Sequence, residues 1–443
     1  MRRMIITGLA VLAAALGTVT AIPAARAALS PSATTAGATA PGAAGTTPVD
    51  LILARAHLGQ PGAVRPAGAM TPAATTTPWF LFYGVSCLSA GNCLAVGANL
   101  NGNGGQGAPI ASVWNGTAWR SLPVHLPTGA TGAELFDVSC RAGGCVAVGY
   151  YRRGSAQYPL AEYWKGATLS LGKLPASPSG TADSELVSIS CRSPKACFAV
   201  GVFFATAPRV VAIAETWNGS AWKAFRPPTP SSGLSVLDTV TCVTTTYCLA
   251  GGTYAPSNGI GQLSLAEQWN GSSWHQVPVS QPASSPEVSL IDSISCSSVR
   301  HCMIIGESVS LQADGTASTR PFAEVRTSAG WSLTGISMPG GAAGFYNHVS
   351  CTSATSCMAA GGVGPLASSW TQGHAAWASW NGSAWSVHAI NPPPGQGASL
   401  WGEGCLSPTS CVAVGTQGKF GTTTGVALTG FWNGSSWRTI TTR

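Results

Sequence analysis

Three features of the chain predict an all-β fold made of seven copies of one small antiparallel sheet. Cysteines recur in close pairs whose first members, Cys87, Cys140, Cys191, Cys242, Cys296, Cys351 and Cys405, are separated by 53, 51, 51, 54, 55 and 54 residues. Each pair joins two short apolar runs, and most copies carry an Asn-Gly pair between two tryptophans. Self-similarity at a fixed period of this size is the mark of a repeat architecture.

Ahead of the repeats, Arg2 and Arg3, the apolar run from Met4 to Val19 and the Ala25-Arg26-Ala27 triplet have the order of a signal peptide, 1–27, cleaved near Ala27. Loss of its three arginines lowers the formal net charge from +7 to +4. The remaining positive excess is scattered, and a nucleic-acid partner is not expected, since a binding face needs Lys and Arg gathered on one surface. No other run approaches the roughly 20 apolar residues of a spanning helix, so no membrane span is expected after signal cleavage. Residues 28–78 are rich in Ala, Thr, Pro and Gly and read as a flexible stalk. Its one apolar island, Val49 to Leu58, places Val49, Ile52, Leu53 and Ala56 on one helical face and could form two helical turns.

From Trp79 onward the copies lie near 79–129, 130–181, 182–233, 234–285, 286–341, 342–396 and 397–443. Each reads as four short strands. The first ends in Val-Ser-Cys or Ile-Ser-Cys, as at Val85-Ser86-Cys87 and Ile189-Ser190-Cys191. The second follows the next cysteine, as in Leu94-Ala95-Val96-Gly97 and Val412-Ala413-Val414-Gly415. Short apolar runs bounded by Gly and Ser clusters suit buried strands. The third strand leads into a tryptophan and an Asn-Gly pair, and the fourth starts at the next tryptophan, as in Trp217-Asn218-Gly219 followed by Trp222. Asn-Gly is a hairpin signal because both residues tolerate positive φ. The fifth copy has Arg326 where the first tryptophan belongs, so its outer hairpin carries the weakest signal.

Seven four-stranded units fit a ring better than one open sheet, because radial repetition lets each sheet bury both faces against its neighbours. The expected fold is therefore a seven-bladed β-propeller. With strands running from the inside outward in chain order, the ring closes without a strand borrowed from the other terminus. The spacing and the Trp-Asn-Gly-Ser-x-Trp hairpin resemble the kelch-type propeller repeat, in which a glycine closes the second strand and a tryptophan begins the fourth. The copies differ from that repeat in having one glycine at most of the doublet positions and in adding two cysteines each.

An even number of cysteines behind a signal peptide points to disulfides, and the repeat pairs them locally: Cys87/Cys93, Cys140/Cys145, Cys191/Cys197, Cys242/Cys248, Cys296/Cys302, Cys351/Cys357 and Cys405/Cys411. Zinc sites use tighter pairs with further Cys or His nearby, so no metal and no cofactor is expected. Glu162, Glu215, Glu267 and Glu324 share one third-strand position, and Asp238 and Asp292 one first-strand position with Asp137 a residue away. Recurring acids of this kind read as structural. The acids outside these positions, Glu134, Asp183, Glu185, Glu287, Glu307, Asp314 and Glu403, are the ones from which a glycosidase pair would have to be drawn. No nucleophile elbow, phosphate loop or dinucleotide fingerprint occurs.

Aperiodic aromatics and arginines are expected in loops between second and third strands, at the end of the ring opposite the cysteine hairpins: Tyr150, Tyr151, Arg152, Arg153, Phe203, Phe204, Arg209, Tyr254, Arg320 and Trp370. Exposed aromatics beside arginines suit recognition of a protein or carbohydrate surface. The reading this favours is a secreted, non-catalytic propeller that binds a protein or polysaccharide at or outside the cell surface. A carbohydrate-active hydrolase or lyase and a purely structural surface protein are the alternatives.

Overall fold

The computed structural model describes residues 79–100, 107–166, 168–175, 183–204, 210–228, 230, 234–256, 261–282, 288–311, 317–364, 373–419 and 425–442. The expected signal peptide, stalk and short helix lie outside these residues, as do Arg209, Trp370, Glu287 and Asp314.

The described residues form seven four-stranded antiparallel blades, spanning Trp79–Leu122, Gly132–Leu171, Ser184–Phe225, Ser235–Gln276, Val288–Thr334, Gly344–Ile390 and Gln396–Thr442. Each blade pairs its strands in chain order, first to second to third to fourth. The first strands pack against one another around the ring, so they stand innermost. Blade 7 is made of four consecutive strands at the C-terminal end, and it meets blade 1 through a single parallel pairing of Trp79 with Gly425. The ring thus closes without strand exchange.

Apolar side chains fill every boundary between neighbouring blades. Leu94, Val96 and Val113 of blade 1 pack on Leu135, Val138 and Ala147 of blade 2, and Val412, Val414 and Ala427 of blade 7 pack on Phe82 and Val85 of blade 1. Because both faces of each inner strand are covered, these strands are buried almost continuously, as the second strand of blade 2 is from Gly144 to Tyr151. The outer strands face solvent on one side.

All seven expected disulfides are present: Cys87–Cys93, Cys140–Cys145, Cys191–Cys197, Cys242–Cys248, Cys296–Cys302, Cys351–Cys357 and Cys405–Cys411. Each joins directly opposed residues of the first and second strands, with Cα atoms about 4 Å apart. On their other side the second cysteines oppose the third strand. Cys93, Cys145, Cys197, Cys248, Cys357 and Cys411 stand against Trp114, Trp164, Trp217, Trp269, Trp380 and Trp432, and Cys302 stands against Arg326. Each bridge therefore continues into the outer hairpin through one residue pair.

In five blades the serine before the first cysteine serves the next blade. The hydroxyls of Ser86, Ser139, Ser190, Ser295 and Ser350 accept the backbone N–H of Cys140, Cys191, Cys242, Cys351 and Cys405 at 2.9–3.1 Å. Two residues earlier, Asp137, Ser188, Thr239 and Ser293 accept the backbone N–H of Ile189, Val240, Ile294 and Val349. Two inner rings of side-chain to main-chain hydrogen bonds therefore join blades that have no extended strand pairing between them.

The paired tryptophans of the outer hairpins are structural. In five blades the two face each other across the third and fourth strands with ring centroids 5.5–5.8 Å apart. The indole N–H groups of Trp217, Trp269, Trp380 and Trp432 donate to Pro194, Thr245, Ala354 and Pro408, carbonyls inside the disulfide loops. In the Asn-Gly turns the asparagine Oδ1 accepts two backbone N–H groups and a hydroxyl, as Asn115 does from Thr117 and Ala118. The outer hairpin of blade 5 forms despite its departure from the pattern: Arg326 pairs with Trp331, lies over the rings of Trp331 and Tyr247, and donates to the Tyr247 hydroxyl.

Candidate functional site

Every first strand bulges four residues before its first cysteine. The pairing with the second strand skips Tyr83, Phe136, Val187, Asp238, Asp292, Asn347 and Trp401, one residue per blade. A bulge re-aims the extra residue out of the ladder. Here all seven line a single cavity of about 130 Å³ on the axis of the ring, together with Asp137, Ser188, Thr239 and His348 from the positions that follow.

The glycine that ends each apolar run of the second strand permits this. A Cβ at Gly97, Gly149, Gly201, Gly252, Gly306, Gly361 or Gly415 would lie 1.9–2.2 Å from the main-chain oxygen two residues before the bulge. Only glycine allows so close a backbone approach. The doublets Gly251-Gly252 and Gly361-Gly362 each supply one such glycine, the second in blade 4 and the first in blade 6.

The cavity has two unlike sides. Trp401, Tyr83 and Phe136, from blades 7, 1 and 2, form an aromatic arc in which Tyr83 meets Phe136 at 5.6 Å and Trp401 at 6.4 Å, both edge to face. Asp238, Asp292 and Asn347, from blades 4, 5 and 6, form a polar arc, with Val187 of blade 3 between the two arcs. The Asn347 amide donates to the Leu400 carbonyl at 2.8 Å, which fixes its orientation. Burial lowers His348 to about 4, so its imidazole is neutral at pH 7. Burial raises Asp137 to about 6 against the opposing effect of hydrogen bonds from Ile189, Ser188 and Val138.

Behind the aromatic arc lies a buried polar network. Glu134, 2% exposed, accepts the hydroxyls of Tyr150 at 2.7 Å and Tyr83 at 3.3 Å. On the neighbouring first strand Glu185, 3% exposed, accepts the side-chain N–H of Gln157, whose carbonyl oxygen takes two hydrogen bonds from Arg152. Burial pushes Glu185 up to about 8; the Gln157 bond opposes this, the Glu134 carboxylate adds to it, and Arg152 and Asp238 act more weakly. Glu134 and Glu185 thus come close enough to interact, yet both are buried and neither lines the cavity.

The residues expected in second-to-third loops are placed differently. Tyr150, Tyr151, Arg152 and Arg153 belong to the second strand of blade 2, which continues to Arg153; Phe203 and Phe204 end that strand in blade 3, Tyr254 ends it in blade 4, and Arg320 lies in the third strand of blade 5. Tyr150 and Tyr151 are 3% and 6% exposed, so they are core residues and not the exposed loop aromatics expected beside Arg152 and Arg153. Tyr151 stacks on Tyr158 at 5.3 Å with Arg153 over its ring, and Arg153 also donates to the Thr128 carbonyl. Phe203 and Tyr254 are half-buried against neighbouring cores, and Arg320 is exposed. These side chains do not converge. Tyr150 alone reaches the axial cavity, indirectly, through Glu134 and Tyr83.

The cysteines stand apart from the cavity. Neither the first members, Cys87, Cys140, Cys191, Cys242, Cys296, Cys351 and Cys405, nor the second, Cys93, Cys145, Cys197, Cys248, Cys302, Cys357 and Cys411, contribute to its lining. All are spent on the bridges within blades, and no free thiol occurs among the described residues. Their part in the site is to anchor the strands that bulge into it.

The recurring acids divide in two. Glu162, Glu215, Glu267 and Glu324 are fully buried. Burial raises Glu162 and Glu267 to about 8, and Glu324 accepts the Ser280 backbone N–H from the segment linking blade 4 to blade 5. Asp137 is likewise an inter-blade acceptor and also lines the cavity, as Asp238 and Asp292 do. Of the remaining acids, Glu307 and Glu403 are buried in blades 5 and 7. Among the described residues no group of three His, Cys, Asp or Glu is placed to hold a metal ion, and no helix is long and apolar enough to cross a membrane.

Fold and site together define a seven-bladed β-propeller with one disulfide per blade and an amphipathic axial pocket. No described family and no curated protein matches the chain. Solved propellers are similar in fold. A structure of YCF48 bound to D1 peptide has 14% identity over 71% of this chain and 82% of its own, with a TM-score of 0.41. An alpha-L-arabinanase from Penicillium chrysogenum, complexed with arabinobiose, has 13% identity over 66% and 91%, TM-score 0.41. The β-propeller domain of the Trilobed protease from Pyrococcus furiosus, described as having an open velcro topology, has 8% identity over 83% and 96%, TM-score 0.45.

Proposed function

We propose that the protein is an exported, non-catalytic binding propeller that takes one group of a protein partner into its axial pocket. The observation that supports this reading is the convergence of seven bulged residues of differing chemistry on one small cavity, while the glutamates among the described residues are buried between strands and do not line it. At about 130 Å³ the cavity is smaller than the several hundred Å³ of pockets that enclose whole small molecules. It suits a single side chain presented by a larger surface. Export through a cleaved leader near Ala27 accords with seven disulfides, which persist in oxidising compartments. A kelch-type origin of the repeat rests on the second-strand glycine and the fourth-strand tryptophan.

A screen of the full chain against cell-surface proteins and glycans, repeated with Trp401→Ala, tests the reading. A protein captured by the native chain and released by the substitution is the expected result. Capture that is indifferent to Trp401 would remove the pocket from the account, and capture of a polysaccharide alone would exchange the partner.

One observation favours the alternative of a carbohydrate-active hydrolase or lyase: Asp238 and Asp292 come from adjacent first strands and line the same cavity. Two carboxyls flanking a glycosidic bond are what such chemistry requires. Turnover of any polysaccharide, abolished by Asp292→Asn, would establish this reading in place of binding. Silence in both screens would favour a structural surface protein.

A further inference from the structure

The pocket carries negative charge and offers no positive charge of its own. None of its lining residues is Lys or Arg, and its one histidine is neutral at pH 7. Asp238 and Asp292 stand on one arc, and aromatic faces and edges stand on the other; the third lining carboxyl, Asp137 beside Phe136, is taken up by hydrogen bonds from Val138, Ser188 and Ile189. Carboxylates alone would attract any solvated cation. An aromatic arc at the far side of so small a cavity adds a preference for a cation that brings apolar surface with it, because ring faces attract cations and pack against hydrocarbon. Anionic groups are disfavoured by the same carboxylates, and a neutral apolar group would leave both of them facing it in a partly dehydrated space.

We propose that the occupant of the axial pocket is a positively charged side chain of a protein partner, a lysine, methylated lysine or arginine, with its stem against Trp401, Tyr83 and Phe136 and its charge toward Asp238 and Asp292. This rests on the reading of the pocket as a binding site. Tyr83 is held for the task from behind by its hydrogen bond to Glu134, which Tyr150 shares. Asn347 is held by its bond to Leu400. The two arcs are therefore set before a ligand arrives, which limits the ordering that binding has to supply.

The test is a calorimetric titration of the full chain at pH 7 and low salt with four capped tripeptides, acetyl-Gly-X-Gly-amide, where X is lysine, arginine, norleucine or glutamate. The lysine or arginine peptide is expected to bind at least about tenfold more tightly than norleucine, the ratio that one desolvated cation–aromatic contact supplies, and glutamate not at all. Asp238→Asn with Asp292→Asn should erase the preference for the cationic peptides, with near-UV circular dichroism unchanged, and Arg320→Ala should leave it intact. Equal binding of norleucine and lysine, abolished by Trp401→Ala, would overturn the cationic assignment while keeping the pocket. Absence of binding by any of the four, or binding indifferent to both Trp401→Ala and the aspartate pair, would overturn the proposal; in the latter case the pocket itself would fall as the site.

Discussion

The Ser139 hydroxyl accepts the backbone N–H of Cys191 at 3.0 Å, so the residue preceding one blade's first cysteine completes the main chain of the next. The same bond recurs at four other boundaries, from Ser86, Ser190, Ser295 and Ser350. At these five boundaries it ties the disulfide ends of adjacent inner strands where no β-ladder does so. Cohesion of the ring therefore rests on packing plus single hydrogen bonds of this type.

Ser139→Ala leaves the buried Cys191 N–H without its acceptor. A loss of about 1–3 kcal/mol is expected, the cost of an unsatisfied buried donor. Urea unfolding should show a lower midpoint with an unchanged slope, while Ser170→Ala, on an exposed outer strand, should stay within about 0.5 kcal/mol of the native chain.

Gly149→Ala would set a Cβ 1.9 Å from the Glu134 carbonyl oxygen, a clash of backbone with backbone that no rotamer relieves. A destabilisation of about 3 kcal/mol or more is expected from overpacking of this severity. Gly154→Ala is the contrasting case. Its φ is +63°, but nothing lies within 4 Å of the added atom, so only the left-handed backbone penalises it, by about 1–2 kcal/mol. Thermal melts of the two variants should separate clearly.

Replacing Cys242 and Cys248 together by serine opens one short loop. The chain-entropy account assigns such a bridge about 2 kcal/mol. The variant should unfold at lower denaturant concentration, and mass mapping of the native chain should recover only links within blades.

Stability should decline from pH 4.5 to pH 8. Asp137, raised to about 6, and Glu162, Glu185 and Glu267, raised to about 8, hold protons in the folded chain that the unfolded chain has already released. Over that window the folded state binds more protons, so each rise in pH favours unfolding. His348, lowered to about 4, acts in the opposite sense, but only between about 4 and 6.5. Melting temperatures at pH 5 and pH 8 check the sign, and Glu267→Gln should flatten the profile because burial alone raises Glu267.

The architecture was legible because its determinants repeat. The cysteine period, the strand-ending glycine and the Asn-Gly turns each recur with their spacing intact, and each has a local physical cause. Blade 5 shows the limit of that method: Arg326 loses the tryptophan pattern but keeps the hairpin, because a guanidinium between Tyr247 and Trp331 replaces one ring contact with two. The site was harder to see because it resides in the position that does not repeat. Four residues before each first cysteine the copies carry Tyr83, Phe136, Val187, Asp238, Asp292, Asn347 and Trp401, and this chemical variety inside a constant frame was the available signal. Asp238 and Asp292 share a periodic position that on sequence alone reads as structural, although a bulge turns them toward the axis. Tyr150 and Tyr151 misled in the opposite way. The second strand of blade 2 runs longer than its apolar core indicates, and covered faces on both sides bury aromatics that alternation alone would leave in solvent.

Gly404 stands where five of the other copies use a serine to reach the next blade, and neighbouring Gly402 brings its strand so near blade 1 that a Cβ would lie 2.4 Å from the Tyr83 oxygen. The first and last blades are thus joined by contact of surfaces, including Trp114 on Phe431 at 4.5 Å, by the one Trp79–Gly425 pairing and by the Thr416 hydroxyl donating to the Phe80 carbonyl at 3.4 Å, without the serine link at the disulfide end. Since every sulfur bridge is internal to a blade, no covalent tie spans this seam. The wheel is a belt with a clasp: amide exchange at the edges of blades 1 and 7 should outpace that at the other boundaries, and a pull applied to the two ends of the propeller would part it there first.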